Sequence, residues 1–351
     1  MPYIVKYSLK RFGLMLLTAF IIISITFFLV MMLPDAAISG NDAAQLAFCR
    51  NQVSLGYYLS FQSEQSGLGS TVIAPLTDQS GTTWYFYQKP IIQRYFAWLT
   101  NIFTNWDWGT STVVQPGTTG MSIIASRLQP TILINVFALL ISLPLGFACG
   151  ILAALKKNSA TDNIISTVVM IFISVPSFVT ISLLMLWLCY TNTWLPDKWP
   201  SGSVVTTAEY VQAMVIPVLA LCFGTVAVFT RYTRAELTEV MSSDFLLLAR
   251  TKGLSKNQCV VRHALRNSMV PIVPMIIGQF IGILSGSVVL EQLYSIPGIG
   301  SLYVQCLNAK DYNVLLVDMT VFTMISLVAN LLVDLSYGIV DPRIRMGAKA
   351  S

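Results

Sequence analysis

Apolar and polar residues are separated into long blocks along this chain instead of alternating over a few positions. A bilayer with a hydrocarbon core of about 30 Å needs roughly 20 apolar residues to be crossed by one helix. The blocks that reach or approach this length are Phe12–Leu33, Thr131–Leu155, Ile164–Tyr190, Ala213–Thr230, Met269–Leu290 and Val314–Val340. We therefore predict an all-α polytopic membrane protein with six transmembrane helices.

Composition agrees with this pattern. The chain is 55% hydrophobic and only 11% charged, whereas soluble domains carry about 25% charged residues. A soluble globular protein is therefore disfavoured. The first block is too long for a signal peptide and no small-residue cleavage site follows it, so we predict that it is retained as a membrane span.

The distribution of basic residues predicts the orientation of the spans. With the N-terminus inside, the predicted cytoplasmic segments hold 15 of the 21 Lys and Arg residues. Positive charge is enriched on the cytoplasmic side of membrane proteins, so we expect a cell membrane protein with both termini in the cytoplasm. All seven tryptophans then fall on or near the outer side, as in an aromatic belt or an outer binding surface.

These spans divide the chain into predicted domains. Residues 1–34 are the cytoplasmic N-terminus and first span, 35–127 form a large extracytoplasmic insertion, and 128–345 form a five-helix core, with a short tail at 346–351. A long cytoplasmic loop, residues 231–268, interrupts the core. Ten aromatic residues crowd Trp84–Trp108, so we expect that part of the insertion to be folded.

Several kinds of chemistry are disfavoured by what the sequence lacks. A P-loop requires Lys directly after Gly, and the chain has no Gly-Lys pair, so ATP hydrolysis would belong to a separate subunit. The single histidine, His263, and the scattered cysteines without a CxxC pair give no support to a metal site or a disulfide framework. We predict no catalytic residue, no metal and no cofactor in this chain. A membrane-bound enzyme is disfavoured, because the sequence shows no cluster of nucleophilic residues.

Acidic residues inside predicted spans are candidates for function by default, and Asp318 and Asp334 are the clear cases. Asp334 lies near the cytoplasmic end of the last span, where solvent or an arginine can satisfy it. Asp318 lies near the outer end of this span, where it would either be solvated at the membrane interface or contact a substrate. Two acids near opposite faces do not make a proton relay.

The fifth span has small and polar positions. Gly278, Gly282 and Gly286 recur every fourth residue and predict a smooth face for helix packing. Its polar side chains are candidates for lining a translocation path together with Asp318, and they are Gln279, Ser285 and Ser287. Packing and pore lining are compatible, and both readings stay open.

The cytoplasmic loop favours a docking role. Arg234–Met241 and Asp244–Lys252 are predicted short helices, and Lys256–Asn267 is a third candidate. Gly253 is placed to end the second helix, with basic residues just before it where the helix dipole favours them. Leu246–Leu248 offer apolar contact to a partner, whereas a loop that only places positive charge inside needs no apolar triplet.

Several segments of the chain carry motifs of one family. They are ARTKGLSKNQCVVRHALRN (Ala249–Asn267), VVLEQLYSIPGIG (Val288–Gly300), NLLVDLSYGIVDPRIR (Asn330–Arg345), Leu128–Lys157, SVPSF (Ser174–Phe178) and Gln88–Ser111. Together they resemble permease subunits of ATP-binding-cassette (ABC) importers for dipeptides and oligopeptides. The resemblance covers the first span and nearly everything from Gln88 to Arg345, and it implies the fold of type I importers.

The resemblance also implies partners. They would be a homologous second permease, two ATPase subunits that bind ATP and Mg, an extracytoplasmic peptide-binding protein, a peptide substrate and the lipid bilayer. The permease would line half of the pore and pass the closure of the ATPases on to it. The residues expected to couple to an ATPase are Phe245, Leu246, Leu247, Leu248, Ala249, Arg250, Lys252, Gly253, Leu254 and Ser255.

Two departures from the family pattern limit which properties of the family are expected in this chain. The broader signature begins Glu-Ala-Ala, but Leu247 and Leu248 stand at the Glu and first Ala positions, so the usual polar contact is not carried over. The stretch from Leu46 to about Tyr87 matches the family core poorly, and we interpret it as an insertion. Two alternatives remain open: a permease of this family for nickel, haem or glutathione, and an ion-coupled secondary transporter, which the lack of internal repeats disfavours.

Overall fold

The computed structural model describes residues 3–33, 41–68, 70–201, 205–282 and 286–340. The helices are α1 (Tyr3–Met31), α2 (Asp42–Ser54), α3 (Ile91–Asn105), α4 (Gly120–Leu155), α5 (Ala160–Ser174), α6 (Ser177–Met185), α7 (Thr207–Met241), α8 (Asp244–Thr251), α9 (Lys256–Cys259), α10 (Leu265–Gly282), α11 (Val288–Leu293), α12 (Ile299–Ala309) and α13 (Tyr312–Val340). The strands are β1 (Tyr58–Phe61), β2 (Leu76–Thr77) and β3 (Thr83–Gln88), and π-helical turns occupy Leu186–Thr191 and Val260–Ala264.

Most of the predicted spans are found as long apolar helices. Within the described residues, α1, α4, α7 and α13 are each long and apolar enough to cross a membrane. The helix α5 and the run Ser177–Thr191 pass the same test as a pair, but they meet at an angle of 96°. The described ranges therefore contain four helices that are long and apolar enough to cross a membrane, or five such spans if the bent pair is one span.

The bend in the third predicted span has a local cause. Val175 adopts an extended conformation with ψ of 117°, and Pro176 follows it before α6 begins. A proline disfavours the helical conformation of the residue before it, because its ring crowds that residue's backbone. The predicted span Ile164–Tyr190 is therefore built from two helices that meet at a bend, and its crossing of the membrane as one span stays a prediction.

The fifth predicted span differs from a single helix. The helix α10 ends at Gly282, residues 283–285 lie outside the described ranges, and Gly286 and Ser287 precede α11. Pro271 and Pro274 lie inside α10. The prediction that Met269–Leu290 crosses the membrane as the fifth span therefore stays a prediction.

Helix α7 extends well beyond its predicted apolar block. Arg234–Met241 is its last part and not a separate helix. The reason is local: the sequence from Arg234 to Met241 contains no glycine or proline that would end a helix. A short break at Ser242 and Ser243 then separates α7 from α8.

The chain divides into two compact units. The larger one consists of residues up to Leu17, Arg127–Ser301, and residues from Met324 onward. Its helices α4 and α7 approach closely at two glycines, since an added Cβ would lie 2.7 Å from Phe229 at Gly146 and 2.6 Å from Thr233 at Gly150. Glycines four residues apart permit such close contact between membrane helices.

The smaller unit consists of Thr18–Ser126 and Leu302–Thr323. Its strands form an antiparallel sheet in the order β1-β3-β2, with Tyr58 opposite Gln88. Helix α3 packs its Tyr95 and Trp98 rings against Phe27 of α1, with ring centroids 5.5 Å and 4.9 Å apart. The chain is mostly helical, as predicted, and this sheet is a small exception whose short strands are rich in tyrosine and other aromatic residues.

Candidate functional site

Helix α8 is the centre of the predicted coupling segment. Asp244 lies in its first turn and Arg250 in its last turn, so both charges complement the helix dipole. Gly253 has a φ of 91°. The amide of Gly253 donates to the carbonyl of Arg250 at 3.0 Å, and the amide of Leu254 donates to that of Ala249 at 3.4 Å. These two bonds form a Schellman motif, so the prediction that Gly253 ends this helix is confirmed.

The apolar residues of α8 point in different directions. Leu246 is only 2% exposed, whereas Phe245, Leu247 and Leu248 are 44%, 62% and 57% exposed. Successive residues of a helix are about 100° apart, which separates one inward position from its neighbours. The sequence predicts Leu246–Leu248 as one contact surface, but Leu246 is buried, and Phe245, Leu247 and Leu248 lie at the surface.

Leu246 anchors α8 to the larger unit. It belongs to a buried cluster with Ala154 at the end of α4, Leu237 of α7, Cys259 of α9 and Ala264. Ala249 and Leu254 pack against the same cluster. A movement of α8 would therefore be passed to α4 and α7 through direct packing contacts.

The rest of the segment is polar and exposed. Arg250 and Lys252 lie at the surface beside the apolar residues of α8. Ser255 accepts a hydrogen bond from the amide of Gln258 at 3.3 Å, and the Gln258 side chain accepts one from the amide of Ser255 at 3.0 Å. This reciprocal capping fixes the start of α9, so the exposed side of α8 is held between two defined helix boundaries.

The described residues that are predicted to line a translocation path have different surroundings. Gln279 is exposed on α10, and Ser285 lies outside the described residues. Ser287 caps α11 by accepting from the amide of Leu290 at 3.4 Å. Asp318 is 1% exposed, and its place in a translocation path stays a prediction.

Two other sequence expectations have clear outcomes. Asp334 is paired with Arg11 of α1, whose Nη1 lies 2.9 Å from the Asp334 carboxylate, so the expected arginine partner is confirmed. A Cβ added to Gly278 would lie 3.5 Å from Val333 of α13, which is an ordinary van der Waals distance. Gly286 is not part of a helical face: its φ is 65° and an added Cβ would lie 2.7 Å from Glu291. Gly282 ends α10, and its packing stays a prediction.

Glu291 is a buried acid that the sequence analysis did not single out. Its carboxylate accepts hydrogen bonds from the Thr131 hydroxyl and from the amide of Ser301, both at 2.8 Å. The amides of Gly300 and Ser301 belong to the first turn of α12, so the carboxylate caps that helix. Burial raises the pKa of Glu291 despite these bonds. An added Cβ on Gly298 would lie 2.4 Å from the same carboxylate.

A family model decides what kind of protein this is. The model described as the binding-protein-dependent transport system inner membrane component matches residues 146–346, which is more than half of the chain. This chain belongs to that family. The matched range contains α8, the Glu291 cap and α13.

Full-length relatives of this inner membrane component are similar along nearly the whole chain. The dipeptide transport system permease protein DppB of Lactococcus lactis is 35% identical, covering 97% of this chain and 100% of the relative. DppB of Bacillus subtilis is 28% identical over 98% and 99%. The oligopeptide transport system permease protein OppB of Haemophilus influenzae is 30% identical over 97% and 99%.

A solved structure supports the fold of this inner membrane component. A chain of the MetNI methionine ABC transporter, in inward-facing conformations, aligns with a TM-score of 0.51 at 14% identity. The alignment covers 63% of this chain and 97% of the other. The fold of a type I importer permease, expected from the sequence, is thus confirmed.

Polar groups of this chain that the sequence did not point to share one property: their hydrogen-bond partners are distant in sequence. Asp162 of α5 receives a bidentate pair of hydrogen bonds from Arg234 of α7, at 2.6 Å and 2.8 Å. Asp311 is buried and accepts from the Ser111 hydroxyl and from the amides of Val113 and Val114. No periodic pattern predicts contacts between positions separated by 72 or 200 residues.

Proposed function

We propose that this inner membrane component is the permease subunit of an ATP-driven peptide importer. It would line half of the translocation pore and pass the movement of an ATPase on to that pore. Relatives named as dipeptide and oligopeptide permeases support the choice of cargo. No ATPase motif is present in the sequence, so ATP and Mg would be bound by separate subunits.

The exposed surface of α8 is the observation that carries this proposal. Phe245, Leu247 and Leu248 are apolar and exposed, and Arg250 and Lys252 lie beside them. Apolar residues with a charged rim are typical of a helix that docks in a groove of a partner. The buried cluster around Leu246 gives the docked helix a direct path to α4 and α7.

The remaining subunits follow from this role. A second, homologous permease would complete the pore, two ATPases would dock from the cytoplasm, and an extracytoplasmic binding protein would deliver the peptide. Both termini and α8 would lie on the cytoplasmic side of the cell membrane. ATP binding would then shift the population between inward-facing and outward-facing states.

Changing Leu248 to Asp in the assembled transporter tests the proposal, because a buried charge at a docked apolar surface is costly. We expect uptake of a labelled dipeptide to fall by more than tenfold, about 1.4 kcal/mol of coupling, and the ATPases to copurify poorly with the tagged permease. Asn257→Asp is the matched control, because it places the same charge at an exposed position of α9. Normal uptake and normal copurification of the Leu248 variant would contradict the docking role.

The cargo is tested separately in cells that depend on this transporter. Unlabelled dipeptides and tripeptides should compete with the labelled peptide, whereas nickel, haem and glutathione should not. Competition by one of those three and not by peptides would replace the proposed cargo and leave the coupling role intact.

A further inference from the structure

A small cavity in the smaller unit is lined by two basic side chains. It has a volume of about 40 Å³ and is lined by residues that include Met31, Gln52, Tyr57, Arg94 and Lys310. Its lining contains two cations, and no Asp or Glu is present among the described residues that form it. The proposed function does not use this cavity.

Arg94 is the unusual residue of this cavity. It is only 8% exposed, and its Nε is buried without a hydrogen-bond partner among the described groups. Its Nη1 contacts the sulfur of Met31 at 3.7 Å, and a thioether is a weak acceptor. A buried guanidinium normally has a carboxylate or several oxygen acceptors, because removing its charge from water costs several kcal/mol.

The packing of α3 does not explain this arginine. Tyr95 and Trp98 supply the contacts of α3 with the Phe27 ring of α1, and Arg94 adds a charge to the same buried side. An apolar residue of similar size would satisfy that packing at lower cost. The cavity in front of Arg94 is therefore the feature that its charge can serve.

Neutral hydrogen-bond donors line the cavity beside the cations. Gln52 and Tyr57 are both buried and both line it. Burial raises the pKa of Tyr57, with the charge of Arg94 opposing and that of Asp107 adding to the shift. The Tyr57 hydroxyl is thus protonated at neutral pH and can donate a hydrogen bond to an anion.

The volume limits the size of the ligand. A buried water needs about 10–15 Å³ of cavity by the same measure, so 40 Å³ holds about three waters. A carboxylate group fits this space, whereas a whole peptide does not. The cavity can therefore receive only the end of a larger ligand, or a small free anion.

We propose that this cavity binds a carboxylate group, with Arg94 as its charge partner and Tyr57 and Gln52 as neutral donors. The carboxylate comes either from the C-terminus of a peptide or from a small free acid, and the first source rests on the proposed peptide transport. Arginine presents donors in a planar fork that matches a carboxylate. Acetate and peptides with free or amidated ends therefore distinguish the two sources.

The test measures thermal unfolding of the purified full-length chain in detergent. The added ligands are sodium acetate, Ala-Ala-Ala and the C-terminal amide of Ala-Ala-Ala, and each sample is compared with sodium chloride at equal ionic strength. A ligand that binds the folded state raises Tm, by about 2 °C when it is about tenfold above its Kd. We expect acetate and Ala-Ala-Ala to raise Tm and the amide to have no effect. A half-maximal concentration of Ala-Ala-Ala at least about tenfold below that of acetate assigns the site to peptide ends, and equal concentrations assign it to small acids.

Arg94→Gln should abolish the shift, and Arg94→Lys should keep a weakened one. Arg50→Gln is the matched control, because Arg50 belongs to the same unit but is exposed and paired with Asp78. No shift with either carboxylate in the wild-type chain overturns the proposal, even if both Arg94 variants fail to fold. An undiminished shift in Arg94→Gln also overturns it. Because no ATPase takes part, the result is independent of whether the peptide-transport proposal holds.

Discussion

Arg234 in the larger unit and Arg94 in the smaller unit are two cations with opposite surroundings. Arg234 gives Nε and Nη2 to the two oxygens of Asp162, at 2.6 Å and 2.8 Å. Arg94 has a sulfur contact at 3.7 Å and a buried Nε without a hydrogen-bond partner in the described part of the chain. The first arginine is satisfied by its own chain, and the second presents unused donors.

This difference separates a structural role from a binding role. The Asp162 carboxylate also accepts from the amide of Asn158 at 2.9 Å, so the pair holds α7 to the start of α5 with few groups left over. Such a pair is costly to break and gives nothing to a ligand. Arg94 has the reverse property, because its Nε has no hydrogen-bond partner among the described residues, and we propose that a ligand supplies one.

The largest expected effect is on the satisfied arginine. Arg234→Met leaves the buried Asp162 without its partner, and breaking a buried pair costs about 3–5 kcal/mol. About a third of the Arg234 side chain is exposed, so we expect the lower end, about 3 kcal/mol. Thermal unfolding in detergent measures the loss.

The double variant Arg234→Met with Asp162→Leu is its control. It removes both charges, so it should recover much of the stability lost in the single variant. If the single variant is as stable as the wild-type chain, the pair is not a structural link and the contrast with Arg94 disappears.

A smaller effect of opposite sign is expected at the other arginine. Arg94→Met removes a buried charge that has no carboxylate partner, and such replacements are often neutral or stabilising. In chloride buffer we expect Tm to be unchanged or to rise. The free energy of unfolding should increase by no more than about 1 kcal/mol. A fall in Tm as large as that of Arg234→Met, without any added carboxylate, would show that Arg94 has a structural role equal to that of Arg234.

Glu291 extends the comparison to an acid and gives the smallest expected effect. Its hydrogen-bond partners are a hydroxyl and backbone amides, and burial raises its pKa. The folded state then holds a proton more tightly than the unfolded state, so the free energy of unfolding decreases as pH rises from the unfolded pKa of about 4.3 through the raised folded value.

Glu291→Gln cannot ionise, so its stability should lack this decrease as pH rises above about 4.3. Thermal unfolding of both proteins over this rise in pH measures the difference between them. Parallel pH profiles of the two proteins would contradict this account of Glu291. A variant that is less stable at every pH, and whose stability does not change with pH, would mean that the hydrogen bonds of the Glu291 carboxylate stabilise the cap as well as its charge state.

The sequence predicted those parts of the fold that depend on neighbouring residues. The apolar blocks gave the long helices α1, α4, α7 and α13, since each block is itself long enough to cross a bilayer. Gly253 was predicted as the end of α8 because the Schellman motif is formed within a few residues. The coupling role of that segment is still a prediction.

The parts that the sequence did not predict depend on long-range contacts. Arg94 contacts Met31, 63 residues earlier, and lines a cavity with Tyr57, 37 residues earlier, so no local pattern predicts its burial. Glu291 was part of a recognised motif, but its role as a cap requires Thr131, which is 160 residues away. Leu246 could not be separated from Leu247 and Leu248 until the position of the α4 and α7 ends was known.

The bend at Pro176 has a consequence for membrane insertion. The two halves, Ala160–Ser174 and Ser177–Thr191, each have 15 residues, and at about 1.5 Å per residue neither spans a hydrocarbon core of about 30 Å. Phe172 of α5 stacks on Phe223 of α7 at 4.8 Å. We therefore expect the bent segment to enter the bilayer stably only after α7 has been synthesised, which makes α7 a template for a segment that precedes it in the chain.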